Sequence, residues 1–429
     1  MRHSSVPYGS AAWFATPEGQ LKRHAQRTAR RVKLFIPDME PQSKRMRDPD
    51  RDAFQTEVLQ QMQTYGRGAM RGQIALNIHL ATTSKTAPQA HTIAKNLLDL
   101  LATRRATVPG EGRSVLYRDD SQIQALCVTC RHGAHQPRIS IEARTLNALL
   151  DDFELATEAA RELEMDDPSA WHERDRADDE ISDLKALVTQ EAASRARLGE
   201  ALYESMVSML RWSCQRDLLA RSAADVAMLT WLYDRPKRQI TGFTPDLWAG
   251  YLQTSTVRLQ VGELPVAEGS SKAFRERIDA EIAAFRARWS WLIDPLVVPV
   301  ALQVVVRPTP GTPKGVLHDL DNVVRDYLLP KVVPAFGTVT DHTWLIDFEE
   351  LRRRDPEMAD RWGPNPTPPK GTRDGVTRYE VWRLPPVEGE PGFVSAALVA
   401  DLDGAPNNID LADRQIERWR GRLDRRSHR

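Results

Sequence analysis

The chain has 429 residues, 41% of them hydrophobic, and its 59 basic and 59 acidic side chains cancel to a formal net charge of zero. That length predicts two or three domains, and no apolar run approaches the roughly 20 residues needed to cross a bilayer. Residues 1–20 lack the charged-then-apolar order of a secretion signal, and three cysteines argue against a disulfide framework, so a cytoplasmic protein with no membrane attachment is the expectation.

The zero net charge hides a segregation that appears as soon as the chain is taken in order. Residues 1–47 carry ten Lys or Arg against three acids. Within them, residues 1–32 read as a basic segment, poorly ordered or weakly helical. Residues 33–37 read as a short strand, and residues 41–47 as a loop carrying Lys44, Arg45 and Arg47. Phe54, Val58 and Met62 recur at helical spacing and predict a helix over 50–63. Residues 73–80 read as a half-buried strand, 92–101 as a helix and 114–118 as a strand. After the turn Asp119-Asp120-Ser121, residues 122–129 and 138–142 are expected to pair as a hairpin across 131–136.

The middle is a different material. Residues 151–183 hold fourteen acids against three arginines, and from 146 to 234 the pattern is a helical insert in which Trp171, Trp212 and Trp231 are packing residues. Residues 235–270 read as a loop-rich connector. Then the first order returns: a helix over 271–290 with Phe274, Ile278, Ile282 and Phe285 on one face, a strand over 299–307, a helix over 322–329, a turn-rich loop, and strands over 376–382 and 393–400. Residues 403–429 form a basic C-terminal helix or tail, with seven arginines against three acids from 413 onward. The repeated order reads as an internal duplication of residues 33–145 in residues 271–402.

Between the buried strand and the helix of the second half stand Asp319, Asp321 and Asn322. Two carboxylates one residue apart on extended backbone can chelate a hard ion such as Mg²⁺ or Mn²⁺, and the same residues also suit a helix cap. A calcium loop is disfavoured, because Pro330 stands where its closing Glu would be. Cys127, Cys130, His132 and His135 have a zinc-like spacing, but the cysteines lie on a predicted strand with side chains on opposite faces. Asp401-Leu402-Asp403-Gly404 reads as a turn, and Tyr379 and Trp382 as core. Phosphate-cradling Gly-rich loops, GxSxG and HExxH are absent, which excludes nucleotide hydrolases, α/β-hydrolases and common metalloproteases from the front rank.

Asp319-Leu320-Asp321-Asn322 opening a helix, followed by Arg325, resembles the first motif of the RusA-like Holliday-junction resolvases. Leu116 to Ile123, with Asp119 and Asp120, resembles the second motif. The resemblance implies an α+β fold of two RusA-like halves, residues 33–145 and 271–402, separated by the insert. It implies a Mg²⁺- or Mn²⁺-dependent endonuclease acting on branched or junction DNA. The motifs are split between the halves. The second half has the metal-binding pair Asp319 and Asp321, with Arg325 in the place of the essential lysine; its second motif is missing, and Asp374 is the expected remnant, with Asp341 and Asp347 as rivals. The first half has Asp119, Asp120 and Lys95, but Gln89 and His91 replace the leading carboxylates, and of these only His91 could still bind a metal. Two arrangements follow: a working second half built on Asp319, Asp321, Asp374 and Arg325, which is the preferred expectation, or an intramolecular pseudodimer with shared sites. Lys44, Arg45, Arg47, Lys95 and Arg325 are the expected DNA contacts. The alternatives are a catalytically inactive branched-DNA-binding or scaffold protein, and a module whose acidic insert recruits a protein partner.

Overall fold

The computed structural model describes residues 7–427 except 67, 86–87, 165–168, 236–243, 266–270, 314–317, 337–338, 340–347, 363–375, 377 and 403–404. Val32–Pro37 (β1), Ile74–Ala81 (β2), Ile123–Arg131 (β3), Arg138–Thr145 (β4), Leu259–Gly262 (β5), Val300–Arg307 (β6), Arg378–Arg383 (β7) and Phe393–Ala400 (β8) join in one mixed sheet of order β1-β4-β2-β3-β7-β6-β8-β5. The fold is α+β, with helices covering both faces.

The pairing pattern occurs twice. β2 runs parallel to β3 and antiparallel to β4, which pairs antiparallel with β1. β6 runs parallel to β7 and antiparallel to β8, which pairs antiparallel with β5. The two sets meet at an antiparallel seam, β3 against β7, from Ala125 opposite Trp382 to Thr129 opposite Arg378. The residues expected to form two half-domains therefore share one sheet.

Strand alternation assigns the layers. Ile74, Leu76, Ile78, Leu80, Leu302, Val304 and Val306 face one core, which holds Phe54, Leu97, Ile278 and Val323 from the helices Asp48–Thr64, Ala90–Ala102, Lys272–Ile293 and the segment after β6. Ala75, Ala125, Cys127, Val305 and Trp382 face the other, under the helices Leu146–Glu164, Val226–Leu232, Pro245–Thr254 and Asn408–Ser427. The helical insert is divided between them, since Leu202, Met206 and Leu210 of helix Glu200–Arg221 pack on the first face.

Several expectations are corrected. The strands after the Asp119-Asp120 turn are not a hairpin, because β2 inserts between β3 and β4, and β6 likewise inserts between β7 and β8. Residues 114–118 make only isolated bridges, Thr103 to Ser114 and Met70 to Tyr117; Val115, Leu116 and Tyr117 are buried by packing over the end of helix Ala90–Ala102. The connector contains a helix, Pro245–Thr254, and the edge strand β5. Trp231 is buried and Trp212 packs against the core, as expected, while the side chain of Trp171 lies outside the described residues.

Helices Pro17–Thr28 and Asn408–Ser427, within the two basic segments, are anchored to the fold. Asp152, fully buried, takes His24 Nδ1 at 2.9 Å, Arg27 Nε at 2.7 Å, Arg31 Nη2 at 2.9 Å and Arg144 Nη1 at 3.1 Å. Asp413 of the C-terminal helix accepts from Arg31 at 2.6 Å and from Arg144 at 3.2 Å. This network fastens helix Pro17–Thr28 to the sheet and to helix Asn408–Ser427, whose Trp419 donates to Glu162 at 2.7 Å. Burial pushes the Asp152 carboxyl up, but His24, Arg27 and Arg144 outweigh it and hold it well below the usual carboxylate range.

Candidate metal centre

The seam decides which carboxylates meet. β3 and β7 are antiparallel and β6 is parallel to β7, so the start of β3 and the ends of β6 and β7 lie at the same end of the sheet. The turn before β3 carries Asp120. The loop after β6 carries Asp319 and Asp321.

Each turn is shaped locally. Asp119 caps a short 3-10 turn, Asp120–Gln122, by accepting from the Ser121 amide at 2.8 Å, while the Gln122 side chain accepts from the Arg118 and Asp119 amides at 2.7 and 3.2 Å. The cap occupies Asp119 and leaves Asp120 to face the cluster. Asp319 sits at the N-cap of the helical segment, with extended φ −61° and ψ 146°, and Asp321 lies in the first turn. Arg383, at the end of β7, donates to the His318 carbonyl and lies near Asp319. A π-helical turn, Val323–Leu328, continues the segment into helix Leu329–Phe336.

Asp120, Asp319 and Asp321 each offer one oxygen within 4.8 Å of the others. Among the described residues the third carboxylate thus comes from the first half, a grouping of the shared kind. Asp374, Asp341 and Asp347 lie outside the described residues. Asp119 and His91 are not in the group. His91 lies near Arg325, and burial first, then that arginine, hold its imidazole below the usual range.

Lys95 closes the cluster from helix Ala90–Ala102. Its Nζ stands 3.1 Å from Asp99, 3.4 Å from Asp120 and 3.3 Å from Asp321. Burial pulls its pKa down, but Asp321, Asp99 and Asp120 more than offset this and raise it. Arg325 reaches Asp321 at 3.9 Å, is bidentate to Asp326 at 2.7 Å, and donates to Asn322 at 2.7 Å.

Burial and mutual repulsion act on Asp319 and Asp321 against the pull of Lys95. Burial, then Asp120 and Asp321, push Asp319 up to about 6. Burial also raises Asp321, against the pull of Lys95. Asp321 is 4% exposed, and its Oδ2 accepts no hydrogen bond of sound geometry. Three hard oxygens on clustered acids, with the Lys95 ammonium against two of the carboxylates, fit a hard divalent cation such as Mg²⁺ or Mn²⁺.

The basic loop expected to contact DNA borders this centre. Helix Ala90–Ala102 anchors it through Asn96, which donates to the Gln42 carbonyl at 3.0 Å, and Lys44 pairs with Asp99 at 3.4 Å. Arg47 pairs locally with Asp50 at 3.0 Å and, like Arg45, is exposed. Sequence reasoning missed Asp99, Asn96 and Arg383. Of these only Asp99, four residues after Lys95 on a predicted helix, gave a usable signal.

The zinc-like spacing does not converge. Cys127 and Cys130 lie in cores on opposite faces of the sheet, and burial raises both thiols, Cys130 to about 12. Asp401 pairs with buried Arg378 at 3.2 Å as part of the core, and Asp403 lies outside the described residues. Tyr379 and Trp382 are buried, as expected.

Comparison with known proteins returns no match to a family model, a curated protein or a solved structure. No described helix is long and apolar enough to cross a membrane.

Proposed function

We propose that this chain is a Mg²⁺- or Mn²⁺-dependent, structure-selective DNA endonuclease similar to the RusA-like Holliday-junction resolvases, working as an intramolecular pseudodimer on branched DNA. The observation that carries the reading is the convergence of Asp120, Asp319 and Asp321 beside Lys95, across the seam. These acids would hold a divalent ion, which would supply a bound water of lowered pKa and neutralise phosphate oxygens. Lys95, beside these acids, would donate to a non-bridging or departing oxygen of the scissile phosphate, where a fixed cation stabilises developing charge. Arg325, held by Asp326 and Asn322, would fix a neighbouring phosphate. Lys44, Arg45 and Arg47 extend the basic rim along which a backbone would run. Three free, buried cysteines support a cytoplasmic setting.

A second reading is favoured by the same lysine. Because Lys95 already compensates the acids without a metal, the cluster could be a relic ion-pair knot in a protein that binds branched DNA and does not cut it. One experiment separates them: a labelled four-way junction incubated with the protein and Mg²⁺. Cleavage that Asp321→Asn lowers by about 10²-fold or more is expected, in line with loss of one ion ligand or charge-stabilising group. Binding without cleavage establishes the relic, and cleavage unchanged in Asp321→Asn removes the cluster from the chemistry.

A further inference from the structure

The nuclease reading leaves open how many strands one encounter cuts, and the inference here rests on that reading. The fold relates the two halves position by position. β2 corresponds to β6 in its pairing, and each leads to a helix whose N-cap is extended: Gln89, at φ −59° and ψ 150°, matches Asp319, at φ −61° and ψ 146°. By the same offset His91 matches Asp321 and Lys95 matches Arg325. The cross-half contacts repeat as well, since Arg325 faces His91 as Lys95 faces Asp321.

The counterpart of the carboxylate centre therefore opens with an amide and an imidazole where the working centre has two acids. Among the described residues no second group of three ligand side chains gathers there, although Asp326 stands near His91. A hard ion that keeps most of its water binds through negative oxygens, so this set cannot hold Mg²⁺ as the first one does. A symmetric two-site enzyme presents both centres to a two-fold substrate and can cut twice in one encounter.

We infer that this chain makes a single incision per binding event, in the strand lying over Asp120, Asp319 and Asp321, while the Gln89–His91 side hydrolyses no strand. The step balances as one hydrolysis: water oxygen forms one bond to phosphorus, one phosphorus–sugar-oxygen bond breaks, and the departing oxygen takes up a proton.

A negatively supercoiled plasmid with an extruded cruciform tests this, using the full chain and Mg²⁺. The first nick releases the supercoiling and collapses the cruciform, so linear product arises only when both cuts fall within one encounter. Accumulation of nearly all product as nicked circle is the expected result. Linear product forming at the rate at which supercoiled plasmid disappears overturns the inference and leaves the nuclease reading standing. No cleavage of either the plasmid or a synthetic junction overturns the nuclease reading and this inference with it. As a second arm, the double variant Gln89→Ala, His91→Ala is expected to nick within about threefold of wild type. If it folds with an unchanged melting curve yet fails to nick, the counterpart position is catalytic and the inference falls.

Discussion

Lys95 and Asp321 come from different halves of the sheet, yet they stand 3.3 Å apart with side chains 14% and 5% exposed. Removing the ammonium leaves buried negative charge whose next described cation is Arg325, at 3.9 Å. Breaking a buried pair from one side is costly, so Lys95→Met is expected to destabilise the metal-free protein by about 2–4 kcal/mol. Added Mg²⁺ should restore more stability to the variant than to wild type, because the ion takes over the lost charge. Urea unfolding with and without Mg²⁺ checks both statements, and equal midpoints for variant and wild type would refute them.

Asp319 gives a pH dependence with a definite sign. Its folded pKa is raised from 3.8 to about 6, so the folded state binds the proton more tightly than the unfolded chain. In the absence of metal, stability is therefore lost as pH rises from about 4 to about 6, and it stays lost above that. Asp319→Asn removes the penalty and is expected to stabilise the metal-free protein near pH 7.5 by on the order of 1 kcal/mol, with the difference vanishing toward pH 4. Millimolar Mg²⁺ should reverse the order of the two melting temperatures. A variant no more stable than wild type at pH 7.5 would show that Asp319 is not strained by its neighbours.

The Asp152 network fastens helices Pro17–Thr28 and Asn408–Ser427 to the sheet. Its folded pKa is depressed, so its contribution is fully present at neutral pH and is lost only as pH falls below the usual carboxylate range. Asp152→Asn leaves Arg31 and Arg144, both nearly buried, short of charge, and a loss of about 3 kcal/mol is expected. Limited proteolysis should then release helix Pro17–Thr28 before the sheet unfolds. Unaltered protease resistance would mean that the helix is held by its apolar contacts alone.

Junction affinity should fall steeply with salt, since phosphate contacts release counterions. Replacing Lys44, Arg45 and Arg47 together by Ala is expected to weaken binding across all DNA sequences and to flatten the log–log salt slope by about one for each lost phosphate contact. A slope unchanged from wild type, measured by anisotropy in Ca²⁺ or EDTA, would place the DNA elsewhere.

Much of this was legible in the sequence, and the parts that were not have physical causes. Strands such as 300–307 announce themselves because they are buried on both faces and read as continuous apolar runs. Asp319 and Asp321 could be named from local pattern, and Lys95 and Asp120 from the resemblance. Their grouping could not, because it depends on β3 pairing with β7, a contact between residues more than two hundred positions apart. The hairpin expectation failed for a related reason: adjacency in sequence suggested that β3 pairs with β4, whereas β2 takes the place between them. Asp119 and Asp120 were indistinguishable until the capping turn showed which one was already occupied.

Because the β3–β7 seam joins two stretches of one polypeptide, a codon change alters one side of it and leaves the other as it was. In an assembly of identical subunits every substitution is written twice, and no centre can be lost without losing its twin. Here the coupling is absent, so Gln89 and His91 can stand at the positions where the other side has Asp319 and Asp321.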